Sequence, residues 1–177
     1  GGYEINEIPA ETDECFVWMG IFIRQGGHFL LDCVNRLWCI NDNTYKDLKV
    51  AYVCDPSTEI IGNYLRFLEL LGVKKENIVK ITKPTKVKRI FIPQLSFMKF
   101  EYYSVQYLKM FETVWRNAKT FEQWKGKDIY FTREAYSHGL KAKDFGLITI
   151  KKNFASNGFV CVEPQNLSLE EQISIWN

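Results

Sequence analysis

Cys15-Phe16-Val17-Trp18-Met19-Gly20-Ile21-Phe22-Ile23-Arg24-Gln25-Gly26-Gly27-His28-Phe29-Leu30-Leu31-Asp32 decides the fold, because the period of its apolar residues changes partway along. Through Ile23 the run is apolar and barely alternates, as in a strand covered on both faces. Gly26-Gly27 breaks it. From His28 to about Ile40 the apolar residues recur at helical spacing, so a buried strand feeds a helix.

Working outward, the same succession repeats. Residues 49–54 read as a strand, and Asp55-Pro56-Ser57 is a candidate cap for a helix over 59–71 that Gly72 ends. Residues 78–81 and 87–92 are two more strands, split by Lys83-Pro84-Thr85. Residues 104–118 are helical by period. The polar stretch 120–127, containing Gly126, marks a domain boundary. Beyond it come a strand at Ile129-Tyr130-Phe131, a loop through Gly139, a helix from about 144 to 157 and a strand at 159–162. Ser168-Leu169-Glu170-Glu171, with capping-box spacing, opens a last helix. The fold class is therefore α/β, a Rossmann-like parallel sheet with flanking helices. Residues 1–122 form its first domain and 123–177 the start of a second. Two strands after residue 126 are fewer than most sheets carry, so the chain is expected to be a piece of a longer protein.

Composition narrows the function classes. At 177 residues, 46% hydrophobic and 25% charged, the chain is an ordinary cored protein, which excludes disorder and collagen-like or coiled-coil structure. Its 23 basic and 21 acidic residues exclude a nucleic-acid binder that works by neutralising phosphates, while one small anion can still be bound locally. Aromatic residues reach 15% and must fill a core, line a pocket or form an interface. The five cysteines show no C-x-x-C spacing, which argues against a disulfide framework or a zinc knuckle and for small buried hydrophobes in a reducing compartment. With cysteines that suit a reducing compartment and no apolar stretch of membrane-spanning length, a cytoplasmic location is expected, the alternative being membrane association through partners or segments outside these residues.

Two stretches can carry chemistry. On a helix, His28, Asp32, Asn35 and Arg36 fall at i, i+4, i+7 and i+8 and share one face, opposite Phe29, Leu30, Cys33, Leu37 and Ile40. His28 suits a general base and Asp32 the group that orients its ring. An ordinary solvent face has the same spacing. The second stretch, Asp128-Ile129-Tyr130-Phe131-Thr132-Arg133, puts Arg133 at the carboxyl end of a strand, where a guanidinium can fork onto a phosphate. Lys141 and Lys143 follow, and a solvated basic loop fits these residues equally well. Cys33 or Cys54 as a nucleophile would need a neighbouring base that the sequence does not supply. The aromatic residues from Phe97 to Tyr107 suit a core or a substrate platform. No G-x-S-x-G, H-E-x-x-H, P-loop or G-x-G-x-x-G motif is present. His28 and His138 are the only histidines and no Asp-x-Asp occurs, so neither a metal nor a cofactor is expected.

Several motifs occur in a recognisable order. Gly27-His28-Phe29-Leu30-Leu31-Asp32 precedes Arg36-Leu37-Trp38. Leu70-Leu71-Gly72-Val73 precedes Lys83-Pro84-Thr85 and Ile90-Phe91-Ile92-Pro93. Ile129-Tyr130-Phe131-Thr132-Arg133 follows, then Asn157-Gly158-Phe159, Glu163-Pro164 and Leu167-Ser168-Leu169-Glu170-Glu171-Gln172-Ile173. From about residue 20 onward this order resembles glycosyltransferase family 61, which includes bacterial capsular-polysaccharide-type enzymes. The resemblance implies a two-domain, GT-B-type enzyme that inverts at the anomeric carbon without an Asp-x-Asp metal site. It implies a nucleotide-sugar donor and a glycan acceptor, with acceptor bound by the first domain and donor by the second. His28 with Asp32 would then take the acceptor proton, Arg133 and Lys141 would hold the donor, and Asn35 and Arg36 would be acceptor-side or structural. Many members carry a second Arg after the one matching Arg133, where this chain has Ser137-His138-Gly139-Leu140-Lys141. The family's pattern also continues into a Gly-rich segment beyond Asn177, so the 177 residues alone are expected to be weakly active or inactive. The rival expectation is a non-catalytic α/β binding or assembly module that keeps the fold.

Overall fold

The computed structural model describes residues 9–45, 47–132 and 146–176, and the chain divides into two compact units, 1–117 and 118–177. In the first unit β1 (Ala10–Ile21), β2 (Lys49–Val53), β3 (Ile78–Lys80) and β4 (Thr85–Phe91) form one parallel sheet in the order β3-β2-β1-β4. The order reverses at β1, which pairs with β2 on one side (Val17 with Val50) and β4 on the other (Val17 with Phe91). Successive side chains on a strand point to opposite faces, and Phe16 and Val17 are both buried. The central strand is thus covered on both sides, as its unalternating apolar run predicts. β4 is an edge strand, and the exposed Lys86, Lys88 and Arg89 on it discourage pairing with another chain.

β1 begins five residues before the apolar run, because the polar segment from Ala10 to Glu14 pairs with the start of β4 and Glu11 forms an ion pair with Lys86 at 3.0 Å. Two bulges each insert one residue into β1, between Thr12 and Cys15 and between Trp18 and Gly20. At the second, Gly20 has φ +112°, a conformation that disfavours any side chain.

The helix that follows β1 is less regular than its period predicts. α1 is an α-turn (Gly26–His28), a π-turn (Phe29–Cys33) and a 3-10 run (Val34–Asn41) in succession. α2 (Asn63–Leu71) starts later than expected, with Gly62 rather than Asp55-Pro56-Ser57 before it, and Ile60 and Ile61 lie outside it. Asp55 instead closes its own turn, its Oδ1 accepting from the backbone N and the Oγ of Ser57 at 3.0 and 2.6 Å. Lys80 Nζ then ties the loop down by donating to the carbonyls of Pro56 and Thr58, both at 2.8 Å, and to Glu59 at 3.1 Å. Gly72 ends α2 in the left-handed region, as expected. A short hairpin, β5 (Phe97–Met98) with β6 (Tyr102–Tyr103), precedes α3 (Val105–Asn117). α3 packs on α2 and on the 3-10 part of α1, and Asn117 Nδ2 donates to Leu70 O at 2.8 Å.

Much of the aromatic content goes into one continuous array. Ring contacts run from Tyr52 to Phe22, Phe29, Phe67, Phe111, Tyr107 and Phe97, with centroids 4.9 to 6.1 Å apart and all but the last pair edge-on. Each such pair is worth about 0.5–1.5 kcal/mol beyond its buried area, and together they tie β2, α1, α2, α3 and the hairpin into one core. Phe97 and Tyr107 are therefore packed, whereas Phe100 and Tyr103 of the same stretch are exposed.

In the second unit β7 (Ile129–Phe131) pairs in parallel with β8 (Val160–Val162), and α4 (Leu147–Ser156) lies between them in the chain. Tyr130 stacks on Phe154 at 4.1 Å and Phe131 on Trp176 at 5.2 Å. α5 (Leu169–Ile175) begins with the expected capping box: Ser168 Oγ accepts from Glu171 N at 3.2 Å and Glu171 Oε2 accepts from Ser168 N at 3.0 Å. All five thiols are free, with Cys33 and Cys39 buried and Cys15, Cys54 and Cys161 half-buried. No helix among the described residues is long and apolar enough to cross a membrane.

Candidate functional site

In parallel sheets, ligands bind beyond the carboxyl ends of the strands where the strand order reverses, and α1 starts there. Leaving β1, Phe22 N donates to Val53 O at 2.8 Å, and Phe29 N donates to Gln25 O at 2.8 Å to begin the helix. A Cβ on Gly26 or Gly27 would meet nothing within 4 Å, so these glycines leave open ground before His28.

His28 Nδ1 and Asp32 Oδ2 lie 2.6 Å apart, and their side chains are 48% and 58% exposed. In the neutral ring, an ionised Asp32 accepts from Nδ1–H and leaves Nε2 with its lone pair. The pair spans the π-turn, a feature that recurs at functional sites.

Side-chain bonds hold that turn in place. Tyr107 donates its hydroxyl to Leu30 O at 3.0 Å and stacks on Phe97 at 5.2 Å. Burial, with a smaller contribution from the charge on Asp32, pushes the Tyr107 hydroxyl up to about 12. Cys33 Sγ donates to Ile21 O at 3.2 Å and accepts from Ile23 N at 3.5 Å. Burial raises the Cys33 thiol above its ordinary value, which disfavours the thiolate that a nucleophile needs. Cys54 Sγ donates to Thr58 O at 3.1 Å.

Not all of the predicted polar face survives. Phe29, Cys33, Leu37 and Ile40 are buried as the period predicts. Leu30 is exposed instead of facing the core, and Asn35, at 3% exposure, is buried instead of standing beside His28. Asn35 Nδ2 donates to Leu31 O at 2.8 Å and Phe97 O at 3.4 Å, and its backbone carbonyl accepts from Ser96 N at 3.1 Å and from Ser96 Oγ. Asn35 therefore fastens the hairpin to α1. Arg36 is half-buried, and its guanidinium nitrogen Nη1 is 3.5 Å from where a Cβ on Gly20 would stand.

Arg133, His138, Lys141 and Lys143 lie outside the described residues. The strand preceding Arg133 is in place, with Thr132 buried and its N donating to Val162 O at 2.8 Å. Sequence reasoning missed Ser96 and the Tyr107 hydroxyl, since both act through backbone carbonyls distant in the chain.

A family model described as Glycosyltransferase 61 matches residues 27–177, well over half the chain. No curated protein and no solved structure matches it significantly.

Proposed function

The chain belongs to the Glycosyltransferase 61 family, and from that premise we propose that it moves a sugar from a nucleotide-diphosphate donor to a hydroxyl of a glycan acceptor, with inversion and without a metal, in polysaccharide biosynthesis of the capsular type. Membership makes the chain a glycosyltransferase-family domain acting between a sugar donor and an acceptor. The inverting, metal-independent mechanism with a nucleotide sugar, and the GT-B architecture, are our reading.

One observation carries it: the exposed His28 ring is held by Asp32 at 2.6 Å, past the carboxyl end of the strand at which the sheet order reverses. Nε2 takes the proton from the acceptor hydroxyl as its oxygen bonds to the anomeric carbon. The bond from that carbon to the donor diphosphate breaks on the opposite side, and the diphosphate leaves with the electron pair. Asp32 fixes the tautomer and steadies the imidazolium that forms. Arg133 and Lys141 are the cations assigned to the departing diphosphate. Residues 1–122 serve the acceptor side, and 123–177 open the donor-side domain. Five free thiols support a reducing, cytoplasmic setting.

The test is His28→Ala in the encoded protein, once thermal-shift screening of nucleotide-diphosphate sugars has found the donor. Turnover should fall on the order of a hundredfold or more with the melting temperature unchanged. Undiminished turnover would remove His28 from the mechanism, and a screen without any stabilising nucleotide sugar would remove the donor class.

A further inference from the structure

Arg36 is half-buried, and its Nε is fully buried without a hydrogen-bond partner. Among the described residues no carboxylate forms an ion pair with it. Asp32, one turn earlier on α1, bonds His28 instead. A guanidinium nitrogen withdrawn from water without a partner is unfavourable, since burying a polar group is offset only by hydrogen bonding. Buried polar groups in native proteins nearly always have partners, and an exception asks for an explanation.

Its place in the fold supplies one. The guanidinium Nη1 is 3.5 Å from the position of a Cβ on Gly20, so it lies against the bulge near the carboxyl end of β1, where the strand order reverses. Gly20 offers no side chain to cover it, and its φ of +112° keeps other residues out. Arg is the side chain best shaped to grip two oxygens of one anionic group at once.

We propose that Arg36 is the binding residue for an oxyanion carried by a reactant, either a phosphate of the donor or a carboxylate of an acidic acceptor sugar. The site needs no role for His28, and it rests on the proposed function only in assigning the oxyanion to a reactant.

The experiment follows the arginine Nε–Hε signals of the 177-residue chain by NMR during titration with pyrophosphate and, separately, with glucuronate. One signal should shift saturably with at least one of the two, and that signal should be missing from Arg36→Lys. Saturation with pyrophosphate identifies a phosphate ligand, and saturation with glucuronate identifies an acceptor carboxylate. A charge-assisted hydrogen bond corresponds to about tenfold or more in affinity, so Arg36→Lys should weaken binding by about that factor while its backbone amide spectrum keeps the folded dispersion. Arg36→Met provides a second variant if the first unfolds. The proposal is overturned if neither anion shifts an arginine signal saturably, or if the signal that shifts persists in Arg36→Lys and Arg36→Met. Loss of turnover in His28→Ala bears on the proposed reaction alone, so the two ideas fail separately.

Discussion

The hydroxyl of Tyr107, in the first turn of α3, donates to the carbonyl of Leu30 at 3.0 Å, across 77 positions of sequence. Leu30 sits in the π-turn that follows His28 and contains Asp32. A π-turn has poorer internal bonding than an α-turn, so side chains from outside α1 contribute to holding it. Tyr107 from α3 and Asn35 one turn on do so at Leu30 and Leu31.

Tyr107→Phe keeps the ring stacked on Phe97 and removes that hydroxyl. It should cost about 1 kcal/mol, the usual net worth of one hydrogen bond, read from the midpoint of urea unfolding. The same hydroxyl gives the chain an alkaline limit. Burial and then the charge on Asp32 raise its pKa from 10.0 to about 12 in the folded state. The folded protein therefore holds this proton more tightly than the unfolded chain, and stability is fully present below pH 10 and is lost as pH rises towards 12. Tyr52, raised to about 12 by burial and then Glu59, acts in the same window. Unfolding midpoints between pH 9 and 12 should fall less steeply in Tyr107→Phe than in the parent; equal slopes would show that Tyr107 is not a source of the loss.

Phe29 is the ring on which the site helix rests. It is buried and meets Phe22, Tyr64 and Phe67 edge-on at 6.0, 5.0 and 5.5 Å. Phe29→Ala should cost about 3–5 kcal/mol, the range for emptying a buried aromatic site. Phe29→Leu should cost less, since it restores part of the volume. Chemical denaturation of both variants checks the order, and equal losses would mean that the array is not packed as described.

How much of this was legible in the chain depended on whether the deciding interaction was local. The strand from Phe16 to Met19, the Gly72 stop and the Ser168–Glu171 capping box are set by neighbours within a few residues, and each reads off the sequence. The interruption of α1 does not, because its period fits a plain helix and the π-turn is held by Tyr107, 77 residues away from Leu30. Reading Asn35 as a solvent-face residue fails for a like reason: its partners Ser96 and the Phe97 carbonyl stand 61 and 62 positions away in the chain. The hairpin escaped notice because Met98-Lys99-Phe100-Glu101-Tyr102 contains no Gly, Pro, Asn or Asp to signal a turn.

That missing signal is itself testable. Phe100 has φ 65°, the left-handed region, and is 96% exposed. A bulky side chain there is strained by about 1–2 kcal/mol, against which stand the entropy glycine loses on folding, about 0.5–1 kcal/mol, and the contact of Lys99 Nζ over the ring at 4.8 Å. Phe100→Gly should therefore be neutral or raise stability slightly, by about 0.5 kcal/mol, since no buried area is lost. Phe100→Ala keeps the strained backbone and should fall below Phe100→Gly. Thermal unfolding of the pair decides it, and Ala above Gly would mean that the left-handed backbone is not the controlling feature.

The capping box of α5 makes an acid-side prediction for the second unit. The backbone N–H of Ser168, and then its hydroxyl, bond the Glu171 carboxylate and hold its pKa below the ordinary carboxylate value. A lowered folded-state value means that the unfolded chain takes up the proton first as pH falls. The contribution to stability is thus complete above the unfolded carboxylate range, near pH 4.5, and is lost as pH drops through the lower folded value. Glu171→Gln cannot titrate and should flatten this part of the acid unfolding curve. Ser168→Ala removes the one bond from the hydroxyl to the carboxylate and the cap on Glu171 N, costing about 1 kcal/mol at neutral pH. Hydrogen exchange of the α5 amides from pH 3 to 7 separates the two effects: Ser168→Ala should lower protection throughout, whereas Glu171→Gln should make it independent of pH. A parent whose α5 protection does not fall with acid would refute the assignment.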